Sequence, residues 1–132
     1  MKKPWYYDLL GTAYVRGGMD PATGLDCFGL LLEAYRRKEV PLDLPEFDYE
    51  GDWRRRALGY LVDHAPRLFK PAERPFCELD VLVTEPDGEN EPLHVSVFVD
   101  SAHVLHTTRK TGVHVARVRQ LAKTTREVLR AR

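Results

Sequence analysis

Apolar positions follow two regimes along the chain. Up to about residue 63 they recur at helical spacing. From residue 78 they alternate in short β-branched runs broken by turn residues. Between Cys27 and Lys38, Phe28, Leu30, Leu31, Leu32 and Tyr35 form an apolar side, and Glu33, Arg36, Arg37 and Lys38 a polar one. This predicts a helix with Asp26 as its N-cap and the basic run at the negative end of its dipole. Residues 5–10 predict a shorter amphipathic helix, followed by a loop over 11–18 and a turn at 19–24 built on Asp20-Pro21. Pro41 and Pro45 mark a loop over 40–51, and residues 52–63 predict a second long helix stopped by Pro66. Strands are predicted at 78–84, 93–99, 103–107 and 112–118, with an acidic hairpin insert at 85–92. Residues 125–130 fit either an edge strand or a helix.

Helices first and a meander of strands afterwards predict an α+β fold, with helices packed on one face of an antiparallel sheet. At 132 residues the chain fits a single domain, 1–132, without repeats or low-complexity segments.

Composition and charge narrow the function classes. Hydrophobic residues at 43% and charged residues at 30% exclude a disordered or fibrous chain. Twenty Lys plus Arg against twenty Asp plus Glu exclude a global basic field for nucleic acid or an anionic membrane. The stretch from Arg109 to Arg132 is basic, which reads as a solvated face, with weak contact to a polyanion as the other reading. The start, Met-Lys-Lys-Pro, leads into no apolar signal region, and no run approaches the ~18 apolar residues of a membrane span. The chain is therefore expected to be cytoplasmic at synthesis.

Two cysteines make no disulfide framework, so each needs its own account. Cys27 stands at the first turn of a predicted helix, where unpaired N–H groups and the positive dipole end stabilise a thiolate. A glycine-rich loop precedes it. Most cysteines are small buried hydrophobes, and Cys77, beside Phe76 at the entrance to a strand with neither a glycine loop nor a helix start, is expected to be structural. Among five histidines, His94 opens a strand and His106 lies in the next one, across the turn at 100–102. If those strands pair, the two rings become cross-strand neighbours. A base that takes the Cys27 proton and a third polar group that orients the base make a triad of Cys27, His94 and His106. His103 and His114 have weaker cases, and His64 fits a helix end.

The segment from Leu10 to Leu32 holds Gly11-x-x-Tyr14-x-x-Gly17-Gly18, a turn, and Gly24-x-Asp26-Cys27-x-Gly29-Leu30. His94 is followed twelve positions on by His106; Leu79-Asp80 precede that block, and Gly112-Val113 follow it. This order resembles the NlpC family of bacterial cysteine peptidases over residues 5–118. The resemblance implies a papain-like α+β fold with the nucleophile at a helix N-terminus. It also implies cleavage of peptidoglycan stem peptides, typically between γ-D-glutamyl and a diamino acid, without a cofactor or metal. Tyr14 and Asp26 would then face the substrate or the oxyanion. Phe28 stands where many members carry Ser, so a hydroxyl contact to the free amino end of the stem peptide is missing. An apolar ring at that turn is expected to pack inward.

A lone domain without an export signal resembles members found in phage or phage-like tails, which makes other phage tail proteins candidate partners and the virion tail a candidate location. Two other classes remain open from the sequence: a catalytically retired or maturation-type tail assembly protein, and a zinc-binding domain using Cys27, His94 and His106.

Overall fold

The computed structural model describes residues 2–42, 68–85 and 94–132. The expected loop beyond residue 42, the helix expected at 52–63, His64 and most of the acidic insert lie outside the described residues. The short turn expected at 19–24 is a two-residue ribbon, β1 (Met19–Asp20) against β2 (Gly24–Leu25). Helix α1 (Cys27–Arg37) follows at once. Then come β3 (Phe69–Pro71), β4 (Val81–Thr84), β5 (His94–Phe98), β6 (His103–Thr108), β7 (Gly112–Arg117) and β8 (Thr125–Ala131). The last six strands form one antiparallel sheet in the order β3-β8-β4-β5-β6-β7. This is the α+β arrangement expected from the sequence, with the helix on one face.

Burial explains how the layers hold. Phe28, Leu31 and Tyr35 of α1 pack on Val81, Val83, Val95, Val97 and Leu129. One step around the helix, Leu30 meets Leu105 and Val113, together with Leu9 and Leu25. The far side of the sheet has its own cluster of Leu82, Phe98, Val104 and Ala116, covered by Phe76, Val118, Leu121 and Val128. Strand β5 is therefore buried on both faces along its whole length. Each large apolar side chain withdrawn in this way contributes roughly 1.5–3 kcal/mol.

Three sequence expectations change. The helix expected at 5–10 shrinks to a 3-10 turn at Tyr7–Leu9. Six residues are too few to repay helix nucleation, and the chain is diverted by Gly11 N–H donating to the Val113 carbonyl at 2.9 Å. The ambiguous C-terminal segment is a strand, and not at an edge: β8 lies between β3 and β4. The edge goes instead to β3, unforeseen because it is three residues long and ends at Pro71. Strand β8 lacks clean alternation because Leu129 faces the α1 core while Val128 faces the opposite cluster.

The basic C-terminal stretch is only partly a solvated face. Arg130 reaches back to Asp80, which is 1% exposed, with Nε–Oδ1 at 2.9 Å and Nη2–Oδ2 at 2.8 Å. Asp80 also accepts from the Cys77 N–H at 2.8 Å, so this ion pair shapes the turn entering β4. Within that turn Leu79 holds φ at 73°, a region costly for a residue with a Cβ. Its carbonyl accepts from the Tyr35 hydroxyl, whose titration burial pushes far upward, with the Asp80 charge adding to the effect.

Candidate active site

Cys27 is the first residue of α1 and only 1% exposed. It packs among Val81, Val83, Val95 and Val97, so the start of the helix abuts the strand that His94 opens. Asp26 sets this geometry. Its Oδ1 accepts from Gly29 N–H at 2.7 Å, as an N-cap should, and its Oδ2 accepts from Gly17 N–H at 3.1 Å. Its own N–H donates to the Gly18 carbonyl at 3.1 Å. One fully buried carboxylate thus fastens the glycine loop to the helix start. Asp26 is the N-cap expected from the sequence, and the family resemblance also set it toward substrate; in the structure both of its oxygens accept from backbone amides.

The glycine spacing of the motif has a packing reason. A Cβ on Gly29 would collide with the Gly18 carbonyl oxygen, so the loop can cross the helix only at a residue without a side chain. Tyr14 lies in the same loop, half-buried, with the Arg109 guanidinium 5.8 Å from its ring centre. The loop is pinned on two sides. Val113 N–H donates to the Thr12 carbonyl at 2.9 Å, and Leu25 N–H donates to the Ala13 carbonyl at 3.0 Å. Tyr14 is thereby held beside the residues that lead into Cys27. Phe28 is fully buried in the core, packed inward as expected.

His94 is 3% exposed and sits opposite Thr84 of β4. On its other side, β5 pairs with β6 through Val97 with Leu105 and Phe98 with Val104. Continuing that register by one step puts Ser96 opposite His106, so His94 and His106 are diagonal neighbours, within reach of aromatic rings. Their ring centroids are 4.6 Å apart at 69°, edge to face. His106 then meets His114, its direct partner across β6 and β7, with centroids 5.2 Å apart at 43°. Burial, with the charges of His94 and His114 adding to it, pushes His106 down to about 3, so it is neutral near pH 7.

The structure thus brings His94 and His106 together and adds His114, which sequence reasoning ranked low. The signal was there: Gly112 to His114 and His103 to His106 are the two arms of one hairpin, and their register pairs the histidines. His103 goes elsewhere, with Nδ1 2.9 Å from Asp100 Oδ1 at the turn. Cys77 is exposed on the turn before β4, with its thiol 3.6 Å from the Pro75 carbonyl. Among the described residues, no three His, Cys, Asp or Glu side chains group so as to hold a metal ion. Nor is any helix among them long and apolar enough to cross a membrane.

A family model described as NlpC/P60 matches residues 11–131. The chain belongs to the NlpC/P60 family. Solved members share the fold. The NlpC/p60 domain of the peptidoglycan hydrolase SagA is 21% identical with a TM-score of 0.60, over 96% of this chain and 92% of that one. A Staphylococcus aureus subsp. aureus Mu50 protein described as similar to lipoprotein, NLP/P60 family, is 16% identical with a TM-score of 0.66, over 96% of this chain and 38% of that one. At such identities the likeness speaks for the fold alone. No curated protein sequence matches the chain significantly.

Proposed function

We propose that this NlpC/P60 domain is a cysteine endopeptidase that hydrolyses amide bonds in peptidoglycan stem peptides, of the γ-D-glutamyl–diamino acid type. The observation that carries the proposal is the buried Cys27 opening α1 against β5, whose first residue, His94, has its ring edge to face with His106. Family membership supports the substrate class, as does the fold shared with a peptidoglycan hydrolase domain.

The proposed roles follow from the chemistry of each group. His94 takes the Cys27 proton, and the thiolate adds to the amide carbonyl. N–H groups of the first turn of α1, with Tyr14 beside them, hold the oxyanion. His94 then protonates the leaving amine, and water hydrolyses the thioester. While His94 is an imidazolium, its second N–H needs an acceptor. A neutral His106 is suited to that task.

Phe28 has no hydroxyl, and its ring is buried in the core, so it offers no polar contact to the free amino end of a stem peptide. Losing one such polar partner costs on the order of 1 kcal/mol. The proposal therefore includes a relaxed requirement for that amine, so that wall still attached to glycan is also cut.

The test has two arms. Digestion of intact sacculi and of free tetrapeptide, with new termini identified by mass spectrometry, should show cleavage of both in a Cys27-dependent way. Activity on free peptides alone refutes the relaxed specificity, and no Cys27-dependent cleavage of either refutes the peptidase. In the second arm, iodoacetamide at pH 6–7 should modify buried Cys27 faster than exposed Cys77, and His94→Ala should abolish that preference. Exposure alone would give the opposite order.

A further inference from the structure

The third imidazole in the row has no part in the roles just described, yet its ring is firmly held. His114 Nδ1 lies 2.9 Å from the Gly112 carbonyl oxygen and 3.1 Å from Thr111 Oγ1. A carbonyl only accepts, so Nδ1 carries the hydrogen, and the neutral ring's tautomer is fixed with the lone pair on Nε2. Thr111 is itself tied across the hairpin turn, its hydroxyl 2.6 Å from that of Thr108. Gly112 holds φ at 68°, and a Cβ there would strike the Thr12 carbonyl, so the turn carrying the clamp has little room to move.

His106 is placed differently. Among the described residues its ring makes no hydrogen bond of its own; it has a histidine on each side, His94 at 4.6 Å and His114 at 5.2 Å. Packing is therefore what sets its orientation. An orienting residue that is itself loosely oriented cannot fix the base behind the nucleophile. Something must hold the holder.

We propose that His114 is a positioning residue: clamped at Nδ1 by Gly112 and Thr111, it holds the His106 ring and, through it, the ring of His94. The inference rests on the catalytic reading of Cys27 and His94, and it goes beyond that reading by adding a fourth residue to the set of Cys27, His94 and His106. His114 takes no proton and touches no substrate in this scheme. Its contribution is a fixed ring surface for His106 to rest on.

The experiment uses the full chain in a Cys77→Ser background, so that Cys27 is the sole thiol. Hydrolysis of a soluble stem tetrapeptide and alkylation of Cys27 by iodoacetamide at pH 7 are measured side by side. His114→Ala should lower kcat about tenfold with KM within about twofold, less than the ~10²-fold that a 1 Å misplacement of a catalytic group can cost. Cys27 alkylation should slow in parallel. His114→Phe keeps the ring without the clamp and should recover to within about threefold of the parent, while Thr111→Val, which only loosens the clamp, should lose about two- to threefold. Tm should stay within a few degrees for all three.

Unchanged kcat in His114→Ala overturns the proposal. So does a loss that His114→Phe does not relieve and that follows the folded fraction, which marks a merely structural residue. His94→Ala separates the two levels of the argument. If it abolishes both readouts while His114→Ala leaves them intact, only the positioning role falls. If it leaves both readouts intact, the catalytic reading falls and the positioning role falls with it.

Discussion

Gly29 of α1 crosses Gly18 of the preceding loop so closely that a Cβ on Gly29 would collide with the Gly18 carbonyl oxygen. The obstacle is backbone, and the same carbonyl accepts from Asp26 N–H at 3.1 Å, so it cannot swing aside freely. Gly29→Ala should therefore destabilise by about 2–3 kcal/mol, although alanine is the better helix former by about 1 kcal/mol. Thermal unfolding checks it. Hydrolysis measured well below Tm should also fall, because the loop that must give way leads into Cys27.

Asp26→Ala removes the acceptor for Gly29 N–H and the tie to Gly17. The expected loss is about 2 kcal/mol, the upper part of the range for an N-cap, since the group is fully buried. Asp26→Asn keeps one acceptor oxygen and should retain more than half of that stability. Denaturant midpoints rank the two variants, and Ala no worse than Asn would show that the cap is not what Asp26 contributes.

His106 makes stability pH-dependent in a defined direction. Its ordinary value of 6.5 drops to about 3 in the folded chain, chiefly through burial, with the charges of His94 and His114 adding to it. Below about pH 6.5 the unfolded chain binds a proton here that the folded chain refuses. Stability is therefore lost progressively as pH falls from about 6.5 towards 3, and nothing is lost above that window. The limiting slope for one proton is ~1.4 kcal/mol per pH unit, and solvent around the half-buried ring lowers it. His106→Gln should flatten this part of the curve in denaturant titrations at pH 4, 5, 6 and 7; an unaltered slope refutes the assignment.

Asp80 and Arg130 form a two-pronged ion pair with the carboxylate buried. Arg130→Met leaves that buried carboxylate without its charge partner and should lower stability measurably. Adding Asp80→Asn to Arg130→Met should recover part of the loss, because the stranded charge is then gone. A double-mutant cycle in urea tests this, and strict additivity would mean that the pair does not interact.

How much of this was legible depended on the range of each interaction. Helix α1 could be read because its cap, apolar stripe and basic end are all local: Asp26, then Phe28, Leu31 and Tyr35, then Arg36 and Arg37. The central strands could be read because β-branched runs declare themselves within a few residues. The closeness of His94 and His106 was legible through motif spacing, since a hairpin turn converts sequence distance directly into cross-strand neighbourhood.

The rest was decided by contacts between distant segments. Strand β8 sits inside the sheet because β3 pairs with it from some sixty residues away, Phe69 against Ala131. Asp26 binds Gly17 N–H as well as its cap partner because the glycine loop crosses over α1 at Gly18 and Gly29, a closeness that no local pattern expresses. Cys77 is exposed because the buried Asp80 to which its N–H donates draws the chain into a surface turn. His114 joins the row of rings because the register of β6 on β7 places it opposite His106. The sequence by itself determined α1, the central strands, the place of Cys27 at a helix start and the spacing of His94 and His106, since caps, periodicity and turns act over a few residues. Only the tertiary structure decided strand order and the pairing of buried Asp80 with Arg130. Those follow from long-range packing, whose closure entropy and burial are settled by the whole chain at once.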